Sequence, residues 1–513
     1  MMKQQKIVKI LTYFYLIPFA LMVIFNTGNS LLRTTYFDLY KDMETARYKW
    51  DNPLLVLIAS AVLLGVFYLL HRFGKVKEKR LSVISVLIGG IISLMIVLTV
   101  KGRAICDGAT ISEIAVEFMQ GNYRAFEQGE YLYNYSFQIG MTALLEALYR
   151  LFGVENFLVF QIINVVCIMA FLWCLNRITW ELFEEEGICR LEAALSMGML
   201  PLFLFSVFVY GDIIGWAFGA GAIYQIIRYL KTDRWQPVLI SSIFLAAGIV
   251  VKSNVSILLV AAVIVILLNV LCKHHYGILI MLLPMVILPT LFTGGVEAVY
   301  TQRAGLAEYP EGIPKIAWVA MSMQETDEGG YACGWYNSYN WNVYRENDYD
   351  REKTTTACLT NLQQSLHKFA HEQKYALNYF YKKFTSQWNA PTFQSMITAE
   401  WSVRHIERVL PIAQYFIYEG GRDILYGIMN IYHFFLFLCT SVALLRMRKE
   451  WSLPKAYLIL NIFGGFFFHM IWEAQSRYII GYFVLLLPLA AFGCDRLFLV
   501  WERGRRSFDE KAI

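Results

Sequence analysis

Residues 81–100 read LSVISVLIGGIISLMIVLTV, and residues 103–138 read RAICDGATISEIAVEFMQGNYRAFEQGEYLYNYSFQ. The first run, Leu81–Val100, is apolar and uncharged throughout. A helix of that length crosses a hydrocarbon core of about 30 Å. It does not alternate polar and apolar residues as a barrel strand does. The second stretch opens with Asp107 between a cysteine and a glycine and ends in a tyrosine-rich, weakly polar segment. Runs like the first recur along the 513 residues, of which 57% are hydrophobic and 17% charged. Soluble domains carry about a quarter charged residues. The expected fold class is an all-α polytopic membrane protein.

Two spans precede Leu81. Ile10–Phe25 follows Lys3, Lys6 and Lys9. It is long, and no A-x-A site follows, so it reads as an uncleaved span and not a signal peptide. Pro53–Leu70 ends in HRFGKVKEKR, whose Arg72, Lys75, Lys77, Lys79 and Arg80 mark a cytoplasmic loop. Leu81–Val100 therefore delivers residues 103–138 to the outer face. There Ile111–Met119 reads as a short amphipathic helix. Phe137–Phe152, with Glu146 and Arg150, reads as a juxtamembrane helix in the outer interface.

Asn156–Leu175, Leu191–Tyr210, Ile213–Leu230, Pro237–Val251, Val255–Leu271 and Gly277–Phe292 follow as spans. Asp423–Leu445, Ala456–Trp472 and Tyr478–Leu499 complete about twelve, with both termini inside. The expected division is 1–292, a transmembrane region with a catalytic outer loop at 101–155; 293–421, a small extracytoplasmic region with several helices; and 422–513, the last spans and a cytoplasmic tail. No internal repeat is evident. The net charge of +5 is small, and the basic residues sit in short loops. They report topology, and no nucleic-acid partner is expected. No CxxC pair exists among the nine cysteines, which argues against a zinc site. Cys333 and Cys358 fall in outer loops, as a disulfide or as free thiols.

On this topology Asp107, Asp212, Lys252, Arg303, Glu473 and Arg477 emerge near span ends on the outer face. Each also has a plainer reading. Asp107 or Arg303 can be a solvated loop charge, Asp212 a cap for the helix from Ile213, and Lys252 a snorkelling lysine. His469, Glu473 and Arg477 are spaced i, i+4, i+8 and share a face if one helix runs through all three. His469 and Glu473 are metal-ligand types four apart, or a hydrogen-bonded pair lining a polar cavity. Tyr331, Trp335, Tyr336, Tyr339, Trp341 and Tyr344 can stack on sugars, or build a core or interfacial belt.

An outer carboxylate beside outer cations at a lipid boundary suits sugar transfer from a lipid-phosphate donor. The acceptor hydroxyl needs a base. The leaving phosphate already carries negative charge and needs a cation. The rival reading is a transporter or flippase of lipid-linked saccharides. That would favour repeated halves and broken helices near mid-membrane, and the sequence shows neither.

CDG at 106–108, GNY at 121–123, YNYSFQIG at 133–140, LYRLFG at 148–153, VYGD at 209–212, VVKSN at 250–254, SQWNAPTFQS at 386–395 and EAQSRYIIGYF at 473–483 follow one another in order. In these the chain resembles the multi-span GT-C glycosyltransferases. The branch is that of dolichyl-phosphate-mannose protein mannosyltransferases, and the resemblance points to bacterial members of the family 39-like group. It implies an inverting enzyme of a bacterial plasma membrane with its active site on the outer face. The donor would be a polyprenyl-phosphate-linked sugar. The acceptor would be an envelope glycopolymer, a glycolipid or a protein. Asp107 maps to the base. Lys252, Arg477 and Arg303 become candidates for the donor phosphate. Asp212, Tyr133, Gln138, Trp335, Tyr336, Trp341 and Glu473 become candidates for substrate. Two features depart from the family: two spans precede the Asp-bearing stretch's own span, and a single Asp stands where an acidic pair is usual. The second argues against a required metal, while a divalent cation stays open as a cofactor.

Overall fold

A computed structural model describes residues 2–40, 43–74, 76–325, 332–404, 406, 409–447 and 450–509. The protein is an all-α polytopic membrane protein. Among the described residues nine helices are long and apolar enough to cross a membrane. Two bent pairs raise that to eleven if each pair is one span. The apolar helix Gln236–Val251 adds a twelfth candidate. Its 16 residues rise about 24 Å, short of a full hydrocarbon core.

Two expected spans are broken. Leu191–Tyr210 is built from Glu186–Ser196 and Leu200–Val207, bent by 48°. The last span is Ser476–Val484 followed by Leu487–Glu502, bent by 52°. Pro201 and Pro488 stand just inside the second piece of each pair. Proline has no N–H to give to the preceding turn, and its ring clashes with the carbonyl four residues back. Broken helices, which the sequence does not reveal, are therefore present among the described residues.

Other helices outrun their apolar cores. The first extends over Met2–Leu32. The helix Leu282–Ala304 continues past Phe292 and keeps Arg303 helical. The amphipathic helix starts four residues before Ile111, at Asp107. Beyond Ala304 come Ile316–Ser322, Tyr339–Glu346, Arg351–His371, Gln373–Trp388, Ser395–Val403 and Pro411–Tyr418. Asp350 caps the longest of these, accepting from Glu352 N and Lys353 N at 2.9 Å. Ala317, Trp318, Met321, Val343 and Tyr344 form a small core there. Tyr331 lies outside the described residues. Cys333 and Cys358 are buried free thiols.

The polar loop between the first two spans is a hairpin. β1 (Arg33–Tyr40) pairs antiparallel with β2 (Met43–Trp50). Phe37 pairs with Ala46, and Leu39 with Glu44. Alternation puts these four on one face. Phe37, Leu39 and Ala46 pack with Trp335, Ala390 and Ile397. The hairpin is also tied down by backbone, since Thr35 N donates to Asn389 O at 3.0 Å.

Candidate active site

Glycine lets the helix ends converge. A Cβ on Gly108 would lie 2.5 Å from Val209 O, and one on Gly211 would lie 2.4 Å from Val251 O. Both are closer than any side chain tolerates. The start of Asp107–Met119 can thus press on the 209–211 turn, and that turn on the end of Gln236–Val251. The three ends bring Asp107, Asp212 and Lys252 to one place. A cavity of about 960 Å³ opens there.

Asp107 lines this cavity with Gln138, Lys252, Glu473 and Arg477. It is half-buried and stands beside the Tyr131 hydroxyl. Lys252 Nζ reaches Asp212 Oδ2 at 2.9 Å. It also lies 4.3 Å from the Tyr210 ring centre and 5.2 Å from that of Tyr478. Burial pulls the ammonium below the usual lysine range, and Asp212 opposes this. Asp212 makes no capping bond with its side chain; it is the counter-ion of Lys252. The Arg477 guanidinium sits 5.1 to 5.7 Å from the rings of Tyr478, Phe208 and Tyr210. Among the described residues no carboxylate oxygen lies within 4.0 Å of its nitrogens. Its charge is held by rings and by Gln475 and Tyr478, with the carboxylates of Asp212 and Glu44 acting on it from beyond ion-pair distance, and it can take an anion.

His469, Glu473 and Arg477 do not share one helix. The helix Leu453–Ile471 ends before Glu473, and a short 3-10 turn, Ser476–Ile479, carries Arg477. His469 Nδ1 donates to the Glu473 backbone carbonyl at 3.0 Å, not to its carboxylate. The Glu473 carboxylate accepts from Tyr478 OH at 3.1 Å. Burial pushes this carboxyl up to about 7, with Arg477 opposing. Among the described residues no three His, Cys, Asp or Glu side chains are grouped to hold a metal ion.

Aromatic residues wall the cavity. Trp335, Tyr336 and Trp341 all line it. Trp335 is almost wholly buried and donates Nε1–H to Ser386 Oγ at 3.0 Å. Trp318 and Trp472 stack with centroids 5.9 Å apart and planes 4° apart. Gln138 donates to Tyr210 OH.

Two sequence candidates are placed elsewhere. Arg303 forks onto Glu146, with Nη1 and Nη2 at 2.9 and 2.6 Å. Arg150 and Tyr300 join the same carboxylate. This cluster ties Ile139–Phe152 to Leu282–Ala304, so Arg303 does not reach the cavity lining. Tyr133 packs on Tyr344 and Tyr349. Several lining residues were missed, Tyr131, Trp318 and Tyr478 among them, and one is acidic and on a strand: Glu44, on the inward face of β2. The available signal was the alternation of RTTYFDLY and METARYKW.

A search of curated proteins finds no match. Residues 139–292 match the model of the family described as dolichyl-phosphate-mannose-protein mannosyltransferase. The matched stretch holds Asp212 and Lys252; Asp107, Glu473 and Arg477 lie outside it. With the polytopic helical fold, the match supports placing the chain among the membrane glycosyltransferases of the GT-C type.

Proposed function

We propose that the protein is an inverting glycosyltransferase. It moves a sugar from a polyprenyl-phosphate donor to a hydroxyl of an acceptor at the outer face. The acceptor is an envelope glycopolymer, a glycolipid or a protein. The observation that carries this reading is one cavity that a carboxylate, Asp107, shares with two half-buried cations, Lys252 and Arg477. In the proposed step the acceptor oxygen attacks the anomeric carbon. The bond from that carbon to the phosphate oxygen breaks, and its electron pair leaves with the phosphate. Asp107 takes the hydroxyl proton. Lys252 and Arg477 bind the departing phosphate. The ring faces of Trp341 and Tyr336 suit the apolar faces of a pyranose.

The two bent spans favour a second reading, a flippase of the same lipid-linked saccharides. Reconstitution in liposomes with labelled polyprenyl-phosphate hexoses separates the two. Label passing to an added glycoside or glycan acceptor supports the transferase. Donor crossing the bilayer intact, with no transfer, would establish the flippase instead.

A further inference from the structure

Glu44 is a carboxylate on the buried face of a hairpin. Its neighbours on that face are Phe37, Leu39 and Ala46. An acidic residue among such neighbours is costly unless it is hydrogen-bonded or used. One of its oxygens is accounted for: Gln394 Nε2 donates to Oε2 at 2.6 Å. Among the described residues the other, Oε1, takes no hydrogen bond, and Glu44 lines the cavity with Asp107 and Arg477.

Gln394 is fully buried and sits in a left-handed conformation, φ 65°. Its own oxygen accepts from Arg477 N at 2.9 Å and Ser476 Oγ at 3.1 Å. One amide thus fixes the hairpin carboxylate against the turn that carries Arg477. This residue belongs to the SQWNAPTFQS stretch, and the proposed chemistry gives that stretch no other task.

We propose that Glu44 is a sugar-binding carboxylate of the site, and that Gln394 is the positioning residue that aims it. A carboxylate accepts hydrogen bonds only, so its partner is a hydroxyl and not a phosphate oxygen. The same hairpin face packs on Trp335, with Phe37 and Trp335 centroids 5.0 Å apart. The carboxylate therefore sits beside the aromatic wall. The hydroxyl can belong to the donor sugar or to a saccharide acceptor. The inference rests on the proposed sugar transfer.

The test is Glu44→Gln in the full chain in proteoliposomes. The amide keeps the shape and can still accept from Gln394. Three quantities are measured: affinity for polyprenyl phosphate without sugar, affinity for a polyprenyl-phosphate hexose, and KM for a glycoside acceptor. The first should stay the same or tighten slightly, because a negative charge leaves the surroundings of Arg477. A loss of about tenfold to a hundredfold in the second or the third is expected. The one that moves shows which sugar supplies the hydroxyl. No change in either would overturn the proposal. If the unmodified protein transfers no sugar, the transferase reading itself fails, which is a separate outcome. Gln394→Glu sets two carboxylates face to face and should lower both Tm and sugar affinity. Adding Glu44→Gln restores the bond with donor and acceptor exchanged. Tm should recover and sugar affinity should not. Recovery of both would reduce Glu44 to a structural role.

Discussion

Lys252 and Arg477 are both cations on aromatic rings, but their situations differ. Lys252 has a counter-ion in Asp212 at 2.9 Å. Arg477 has none at that distance among the described residues and is set by Gln475, Tyr478 and Gln394. Replacing either with alanine should weaken binding of polyprenyl phosphate by about tenfold to a hundredfold. Titration of the purified variants with that lipid checks this; unchanged affinity in both would remove them from the phosphate site. Glu473 gives a pH signature. Its ordinary value is 4.5, and burial holds it at about 7 in the folded chain. Between these values the folded chain keeps a proton that the unfolded chain releases. The contribution is fully present below about 4.5 and lost as pH rises through about 7. Glu473→Gln should flatten the Tm profile between pH 4 and pH 8. Parallel profiles for variant and parent would show that another group sets the dependence.

Helix ends and one hairpin build the site, and they were unequally legible in the sequence. Long apolar runs reveal spans because the bilayer demands them. Asp107, Lys252 and Arg477 were legible because each follows or precedes such a run. The bends at Pro201 and Pro488 were hidden by hydropathy, which averages over a break. The His469–Arg477 spacing misled because helical periodicity says nothing once the helix stops at Ile471. Glu44 was hidden because the hairpin is short and polar. Alternation along the two strands separates their faces, and the strand pairing decides which face turns inward. The Arg303–Glu146 fork depends on a helix running twelve residues past its apolar core, for which the sequence has no marker. Gly108 offers a test at this scale. Gly108→Val places its Cβ 2.5 Å from Val209 O, inside van der Waals contact. The start of the Asp107 helix must shift, at an overpacking cost of about 1–3 kcal/mol. The transfer rate should fall while polyprenyl phosphate affinity holds. An unchanged rate would mean that the position of Asp107 is not critical.

At the scale of the whole molecule, the cavity lies at one end of the helical bundle, and the proposed chemistry needs that end outside. Lys77 lies on the short link between Pro53–Phe73 and Glu78–Val100, Arg80 lies in the first turn of the latter, and both would mark the inside. Single cysteines at Glu127 and Gln364, both exposed, should react with an impermeant thiol reagent on intact cells. One at Lys77 should not. The background must lack Cys106, which is itself exposed. Labelling at Lys77 alone would invert the topology and with it the outer-face site.

The most direct measurement concerns Asp107. Asp107→Asn keeps volume and hydrogen bonding but cannot take the acceptor proton. Transfer rate and donor affinity are measured together on protein matched for Tm, with a labelled polyprenyl-phosphate hexose and a glycoside acceptor. Transfer should fall by about 10²–10⁴-fold, while donor affinity stays the same or tightens slightly as a negative charge leaves the cavity. Normal turnover by this variant would contradict the assignment of Asp107 as the base at the centre of the site.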